Sequence, residues 1–207
     1  MQSRRFAAFS LFLASFLAVF AFGHDAFAQL PPTRVRGEIV KAEGNRVVVK
    51  SRDGAELTVN LPDNVAVSAV VKISLADVKP GSYIGVSAMP APDGSQNALH
   101  VHIFPEALRG VAEGHGPWDV RPGSTMTNAT VDQIAAVGEG RTITVKYKDG
   151  DKKIVVPADT PIVTYVPGTR DELKPGAKIF IIAAQRQADG TLSAARINVG
   201  RGITPPM

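Results

Sequence analysis

The chain has 207 residues, and its lack of cysteine excludes disulfides, a lipid-modified cysteine and a thiol nucleophile. Without Arg4, Arg5 and Asp25, 21 basic and 18 acidic residues remain, and residues 29–128 carry ten of each sign. The small basic surplus lies in the second half and is too weak for a nucleic-acid-binding surface, so no nucleic-acid partner is predicted.

Residues 1–28 have the pattern of a signal peptide. Arg4 and Arg5 precede a 17-residue apolar run over 6–22, and the sequence Ala-Phe-Ala at 26–28 is typical of a cleavage site before Gln29. The alternative is an N-terminal membrane anchor, although 17 residues are near the lower limit for crossing a bilayer. We therefore expect a periplasmic or secreted protein without a transmembrane segment after cleavage.

The rest of the chain repeats three turn motifs in the same order. An Asp-Gly pair, a Lys-Pro-Gly triplet and a second Asp-Gly pair occur first at 53–54, 79–81 and 93–94, and again at 149–150, 174–176 and 189–190. The repeat predicts two copies of one small domain, at 29–105 and at 129–207 with a short C-terminal tail, joined by a non-repeated loop at 106–128.

Short β-rich stretches separated by turns predict an all-β fold. In the first copy we expect strands at 35–40, 46–50, 56–61, 65–73, 83–88 and 98–104, with a helical turn at 74–78. In the second copy we expect strands at 142–147, 153–156, 178–183 and 192–199. The lengths favour two tandem small antiparallel β-barrels, like the oligonucleotide/oligosaccharide-binding (OB) fold; a pair of small sandwiches is the alternative.

The order of these motifs resembles an exported bacterial family of small OB-like β-barrels, a domain of unknown function. The stretches His-Val-His-Ile-Phe-Pro-Glu at 100–106 and Gly-His-Gly-Pro-Trp-Asp at 114–119 also resemble a group of proteobacterial secreted proteins. Members of that group are sometimes labelled metal transporter permeases, but a permease needs several membrane spans and this chain has no second apolar run. The resemblance implies the fold and leaves the activity open.

Three histidines suggest a metal site. His100 and His102 share one face of a predicted strand, and His115 follows on a glycine-rich loop. With an oxygen from Glu106, Glu113 or Asp119, they would suit zinc, copper or nickel. The alternative is two solvated strand imidazoles and a loop histidine.

Two further features suggest a partner surface. Trp118, the single tryptophan, would either pack against a barrel or stack on a sugar or partner. A basic-aromatic hairpin contains Lys146, Tyr147, Lys148, Lys152 and Lys153, and its alternative role is to deter edge-to-edge aggregation.

The sequence contains no Gly-x-Ser-x-Gly elbow and no phosphate-binding Gly-x-x-x-x-Gly-Lys motif. We therefore expect an exported, non-enzymatic binding protein of the cell envelope, whose partner is an envelope protein or an anionic envelope polymer. The alternative function is periplasmic binding of a transition metal by His100, His102 and His115.

Overall fold

The computed structural model describes residues 31–138 and 140–206, so the predicted signal peptide lies outside the described residues. No helix in the described part of the chain is long and apolar enough to cross a membrane. The described residues are all-β and form fourteen strands: β1 Thr33–Glu43, β2 Arg46–Ser51, β3 Glu56–Asn60, β4 Ala66–Lys72, β5 Tyr83–Pro90, β6 Gln96–Ile103, β7 Gly114–Pro117, β8 Thr125–Val137, β9 Gly140–Tyr147, β10 Gly150–Val156, β11 Ile162–Pro167, β12 Lys178–Arg186, β13 Leu192–Ser193 and β14 Arg196–Gly200.

Three 3₁₀ turns join some of these strands, at Leu75–Asp77, Glu106–Leu108 and Arg170–Glu172. The first has a capping box, in which the Ser74 hydroxyl accepts from the Ala76 amide and the Asp77 carboxylate accepts from the Ser74 amide. This first turn lies within the segment 74–78, where the sequence predicts a helical turn.

The first barrel is a closed ring of five strands in the order β1-β2-β3-β13-β12, because β12 also pairs with β1. All its pairings are antiparallel except β3 with β13, which is parallel. The second barrel closes in the same way through β8-β9-β10-β6-β5, with β6 and β10 as its parallel pair. Each ring therefore has the same order of parallel and antiparallel neighbours.

The structure does not confirm the expectation of barrels in tandem along the chain. Neither predicted segment, 29–105 or 129–207, closes a barrel with its own strands, because each barrel takes three strands from one segment and two from the other. The crossing is made by β4 and β11, which pair antiparallel with each other between the barrels. These strands lead the chain out of one barrel and into the other.

The hydrophobic cores follow the same exchange. In the first barrel, Val47 and Val49 of β2 pack in one cluster with Ile179 and Ile181 of β12. In the second barrel, Ile84 of β5 packs in one cluster with Ile143 of β9. Each core is therefore completed by residues from distant parts of the chain.

The predicted connecting loop at 106–128 is also more regular than expected. It contains β7 and the first residues of β8, and β7 pairs antiparallel with β8 from Gly114↔Asn128 to Pro117↔Thr125. Glycine at positions 114 and 116 removes the alternation of apolar and polar side chains, so the sequence carries no strand signal there.

Candidate functional site

His100 and His102 lie on the same side of β6, as predicted, but both are buried rather than solvated. Their ring centroids are 6.0 Å apart. The Nδ1 atom of His100 is 2.6 Å from the Ser87 hydroxyl oxygen, whereas Nε2 of His100 and Nδ1 of His102 have no hydrogen-bond partner. His102 instead packs edge-on against Phe104 and Tyr165, at centroid distances of 4.4 and 5.7 Å.

Burial keeps both imidazoles neutral. It lowers the pKa of His100 to about 3, with a smaller effect of the nearby Arg36 cation. It lowers the pKa of His102 to about 3 as well, and His100 adds a smaller effect. These side chains behave as packed aromatic groups with a polar edge.

His115 is not brought to the other two histidines. It lies on β7 opposite Thr127, whose hydroxyl is 2.8 Å from Nδ1 of His115, while β8 and β5 separate β7 from β6. Three strand spacings correspond to roughly 14 Å. Within residues 31–138 and 140–206, no group of three or more His, Asp or Glu side chains is placed to hold a metal ion.

The predicted oxygen ligands are also engaged elsewhere. The carboxylate of Glu106 accepts two hydrogen bonds from Arg109, at 2.6 and 2.7 Å. Glu113 accepts from the Lys148 backbone amide at 3.0 Å, and Asp119 binds Arg36 at 2.8 Å. The sequence prediction of a His100, His102 and His115 metal set is corrected, because strand order separates residues that are close in sequence.

Gly85 provides the space in which His102 lies. A Cβ atom at position 85 would be 2.1 Å from Cε1 of His102 and 2.6 Å from Oδ1 of Asn128, whose oxygen is buried without a partner. No real Cβ occupies such a position without moving its neighbours.

We expect Gly85→Ala to lower the free energy of unfolding by roughly 1–3 kcal/mol, the usual cost of overpacking a core. Urea denaturation would measure the change. Gly116→Ala is the matched control, since nothing lies within 4 Å of a Cβ there and its φ is not positive. Equal midpoints for both variants would contradict this account of Gly85.

Trp118 joins the connecting segment to the first barrel. It is half-buried, packs against the cluster of Val70, Val163 and Phe180, and lies under the guanidinium of Arg34, 4.0 Å from the ring centroid. Its indole nitrogen is buried without a hydrogen-bond partner. In this structure the ring is a packing element with one face covered by arginine.

Asp119 and Val120 strengthen the same junction. The Asp119 carboxylate pairs with Arg36 at 2.8 Å and with Arg34 at 3.4 Å. Arg52 donates to the Val120 carbonyl at 3.2 Å. Three arginines of β1 and the following hairpin thus hold the connecting segment on the first barrel.

The predicted basic hairpin is balanced by nearby acids. Lys146 pairs with Asp132 at 3.1 Å, and Lys148 lies 3.9 Å from Asp149. Hydrogen bonds from Ser95 lower the pKa of Asp93, and the nearby Lys153 adds a smaller effect, whereas Lys152 lies near His115. Tyr147 packs against the core of the second barrel.

A more basic surface lies on the first barrel and was not predicted. We call it the basic cleft: a depression of about 460 Å³ on β1, β2 and β12. Its charged lining consists of Arg36, Lys50, Arg52, Lys178 and Glu38. Its apolar lining includes Val120, Ile179, Pro205 and Pro206.

The register of the strands explains this cluster. Glu38 of β1 lies opposite Lys50 of β2 on one side and opposite Lys178 of β12 on the other. The backbone amide of Arg52 donates to the Arg36 carbonyl at 2.9 Å, so these two arginines are cross-strand neighbours. The signal in the sequence is the spacing of two, at Arg36 and Glu38 and at Lys50 and Arg52, which places each pair on one face.

Comparison of the chain with protein-family models, with curated proteins and with solved structures found no match in any of the three.

Proposed function

We propose that the protein is a non-enzymatic binding protein of the cell envelope and that the basic cleft binds an anionic group of its partner. The observation that carries the proposal is the composition of this cleft: four cationic side chains and one carboxylate around a depression of about 460 Å³. That volume lies within the range of ordinary ligand sites, about 300–1,000 Å³. The apolar lining would add contact area to the ionic attraction.

Lys50 is the best-placed residue to receive an anion. Lys178 is already paired with Glu38, and Arg36 with Asp119. Lys50 is exposed and has no ion-pair partner among the described residues. Its ammonium group is therefore available at the mouth of the cleft.

The predicted hairpin is the competing surface for an anionic partner. Three of its four lysines lie beside Asp132, Asp149 or Asp93, so a partner would have to compete with carboxylates of the protein itself. Exposed ion pairs are weak individually, but together they reduce the field that steers an anion. This charge balance favours the basic cleft over the hairpin.

An NMR titration of the mature protein with inorganic phosphate and with a tri-aspartate peptide tests the proposal. We expect amide shifts in β1, β2 and β12, and a dissociation constant that rises several-fold from about 25 to about 250 mM salt, because screening shortens the range of the interaction. Lys50→Gln should weaken binding about three- to tenfold, by roughly 0.7–1.4 kcal/mol.

Lys146→Gln is the matched control, since this lysine is exposed, lies on a strand and belongs to the hairpin. It should leave binding unchanged. Absence of amide shifts at millimolar ligand would refute the proposal. Loss of binding in Lys146→Gln alone would show that the anion binds at the hairpin instead.

We further propose that the two halves are copies of one OB-like domain that have exchanged strands. Strand register supports this. Strands β4 and β11 pair at Val70↔Tyr165, and these two residues occupy equivalent positions in the two copies. Moving by the same number of positions from the first copy to the second turns the pair Ala69↔Val166 into the pair Thr164↔Val71, as expected for equivalent strands. The parallel pairs Val59↔Leu192 and Gln96↔Ile154 also correspond, since Ile154 lies 95 positions after Val59 and Leu192 lies 96 positions after Gln96. The resemblance to exported OB-like barrels and the removal of residues 1–28 belong to the same proposal.

A further inference from the structure

The segment after β14, Arg201–Pro206, folds back over the first barrel, and we call it the tail segment. The Arg201 amide donates to the Val70 carbonyl at 2.9 Å, and the Arg201 guanidinium pairs with Glu172 at 2.9 Å. The chain then passes directly over Gly200, where a Cβ atom would be 1.7 Å from the carbonyl oxygen of Ile203. The tail segment is therefore seated in close contact with β14.

Its last described residues form one wall of the basic cleft. Thr204, Pro205 and Pro206 line the cleft opposite the cationic strands, and Pro205 is buried. Ile203 packs against Val70, Val163 and Phe180, so it anchors the segment. A proline-rich piece of this chain therefore already lies beside the cationic side chains of the cleft.

Other depressions continue from the basic cleft along the same segment. Gly202, Ile203 and Thr204 border a second one of about 310 Å³, together with Gly176 and Lys178. Gly202 and Ile203 also border a third of about 570 Å³, beside Lys72 and Asp159. The tail segment thus runs along a series of depressions, which suits an elongated occupant better than a compact one.

We infer that the basic cleft binds an extended acidic peptide of a partner protein, which takes the place of Thr204–Pro206; this inference rests on the proposed function. Two properties of the site select a peptide. The part of the cleft next to the cationic side chains can accommodate a proline-containing backbone, since Pro205 and Pro206 line it in this structure. The partly exposed apolar side chains of Val120 and Pro206 can pack against apolar residues that precede a carboxylate in the peptide.

A long polyanion would fit the observed charges less well. Such a polymer needs a continuous cationic track, because its affinity comes from many phosphate or sulfate contacts. Beyond the cleft, Arg201 is paired with Glu172 and Lys146 with Asp132. Carboxylates therefore interrupt the positive charge along the tail segment, at Arg201 through Glu172 and beside Lys72 through Asp159.

Fluorescence anisotropy on the full chain tests the inference. The probe is a labelled peptide, Ile-Thr-Pro-Pro-Asp-Glu, which joins the tail sequence to two acidic residues; its Asn-Gln analogue is the uncharged control. We expect the acidic peptide to bind at least tenfold more tightly than the analogue. Lys50→Gln should weaken its binding at least threefold.

Weakening the packing of the tail segment should improve binding. The peptide can bind only to molecules in which Thr204–Pro206 have left the cleft, so its apparent affinity rises with the fraction of such molecules. We expect Pro205→Gly to bind the acidic peptide at least fivefold more tightly than the unaltered protein. Thr204→Gly is a second variant for the same purpose, because Thr204 is exposed and its replacement removes no buried side chain.

The outcomes separate the inference from the proposed function. Phosphate and tri-aspartate binding that depends on Lys50, with equal peptide affinity in the unaltered protein and both tail variants, would overturn the inference and leave the proposed function standing. Displacement of the acidic peptide by polyphosphate at much lower concentrations than by unlabelled peptide would identify a polymer as the better ligand and also overturn it. Absence of binding to every anion would refute both.

Discussion

Below pH 6.5 the protein is expected to lose stability, with a slope that approaches roughly 3 kcal/mol per pH unit, because two buried histidines resist protonation in the native state. His100 and His102 have pKa values of about 3 in the fold. In the unfolded chain each titrates near 6.5. Between these values the unfolded state binds two more protons than the native state, so the free energy of unfolding falls as the pH falls.

The environment of the two rings explains why they stay neutral. His100 faces the Ser87 hydroxyl and lies near the Arg36 cation, and His102 faces the Phe104 and Tyr165 rings. No carboxylate contributes to either pKa. The two histidines therefore leave the free energy of unfolding unchanged well above pH 6.5 and lower it progressively between pH 6.5 and 3.

Urea denaturation at pH 7.0, 6.0, 5.0 and 4.5 measures this dependence. His102→Gln should reduce the slope by about half, since one of the two groups is removed. His115→Gln is the control: His115 is only partly buried and its pKa is lowered less far. A free energy of unfolding that stays constant from pH 7.0 to 4.5 would contradict the burial of these imidazoles.

The two halves of the chain, 29–105 and 106–207, are expected to depend on each other for folding. Separately, the first half has β1, β2 and β3 without the β12 and β13 strands that close their barrel. We expect neither half alone to give a folded monomer. An equimolar mixture should form a one-to-one complex with the dispersed NMR spectrum of the whole protein.

Circular dichroism, NMR and analytical ultracentrifugation of the halves, alone and mixed, provide the measurement. As a control, the intact chain can be cut once by a protease site inserted after Val111, an exposed residue of the connecting segment. The cut protein should remain a single folded particle. Two independently folded monomeric halves would show that each segment closes its own barrel.

The sequence was sufficient for the local structure of most strands, because that information is local. The Asp-Gly turns are an example. The Asp93 carboxylate accepts from the Ser95 amide at 3.0 Å, and the Asp189 carboxylate accepts from the Thr191 amide at 2.9 Å. The glycines that follow, Gly94 and Gly190, both have φ of 82°. These short-range interactions fix the hairpins regardless of which barrel the strands join.

Strand exchange could not be predicted from the same signals. The chain leaves the first barrel through β4, whose apolar residues would suit a strand in either arrangement. Whether β5 returns to β1 or continues to β8 depends on the pairing of β4 with β11, a contact between distant residues. The repeat in the sequence indicates two similar units but contains no information about which copy supplies each strand.

The candidate site shows the same division. That His100 and His102 share a face followed from the alternation of a strand, whereas their burial and their separation from His115 depend on the order of β5, β6 and β8. The basic cleft requires β12 beside β1, and Lys178 reaches Glu38 only through that pairing. The alternation of side chains along a strand therefore predicts which residues of one strand share a face, but it does not predict which other strand lies beside them.

Closure of the first barrel by β13 has a consequence for the time at which the protein can fold during its synthesis. Asn60 donates to the Thr191 hydroxyl at 2.9 Å across 131 positions of the chain. The second barrel has all its strands once β10 has emerged, but β1, β2 and β3 must wait for β12 and β13. Until then their apolar faces and unpaired strand edges are available for aggregation. The strands that are synthesised first are therefore the last to be covered by their pairing partners.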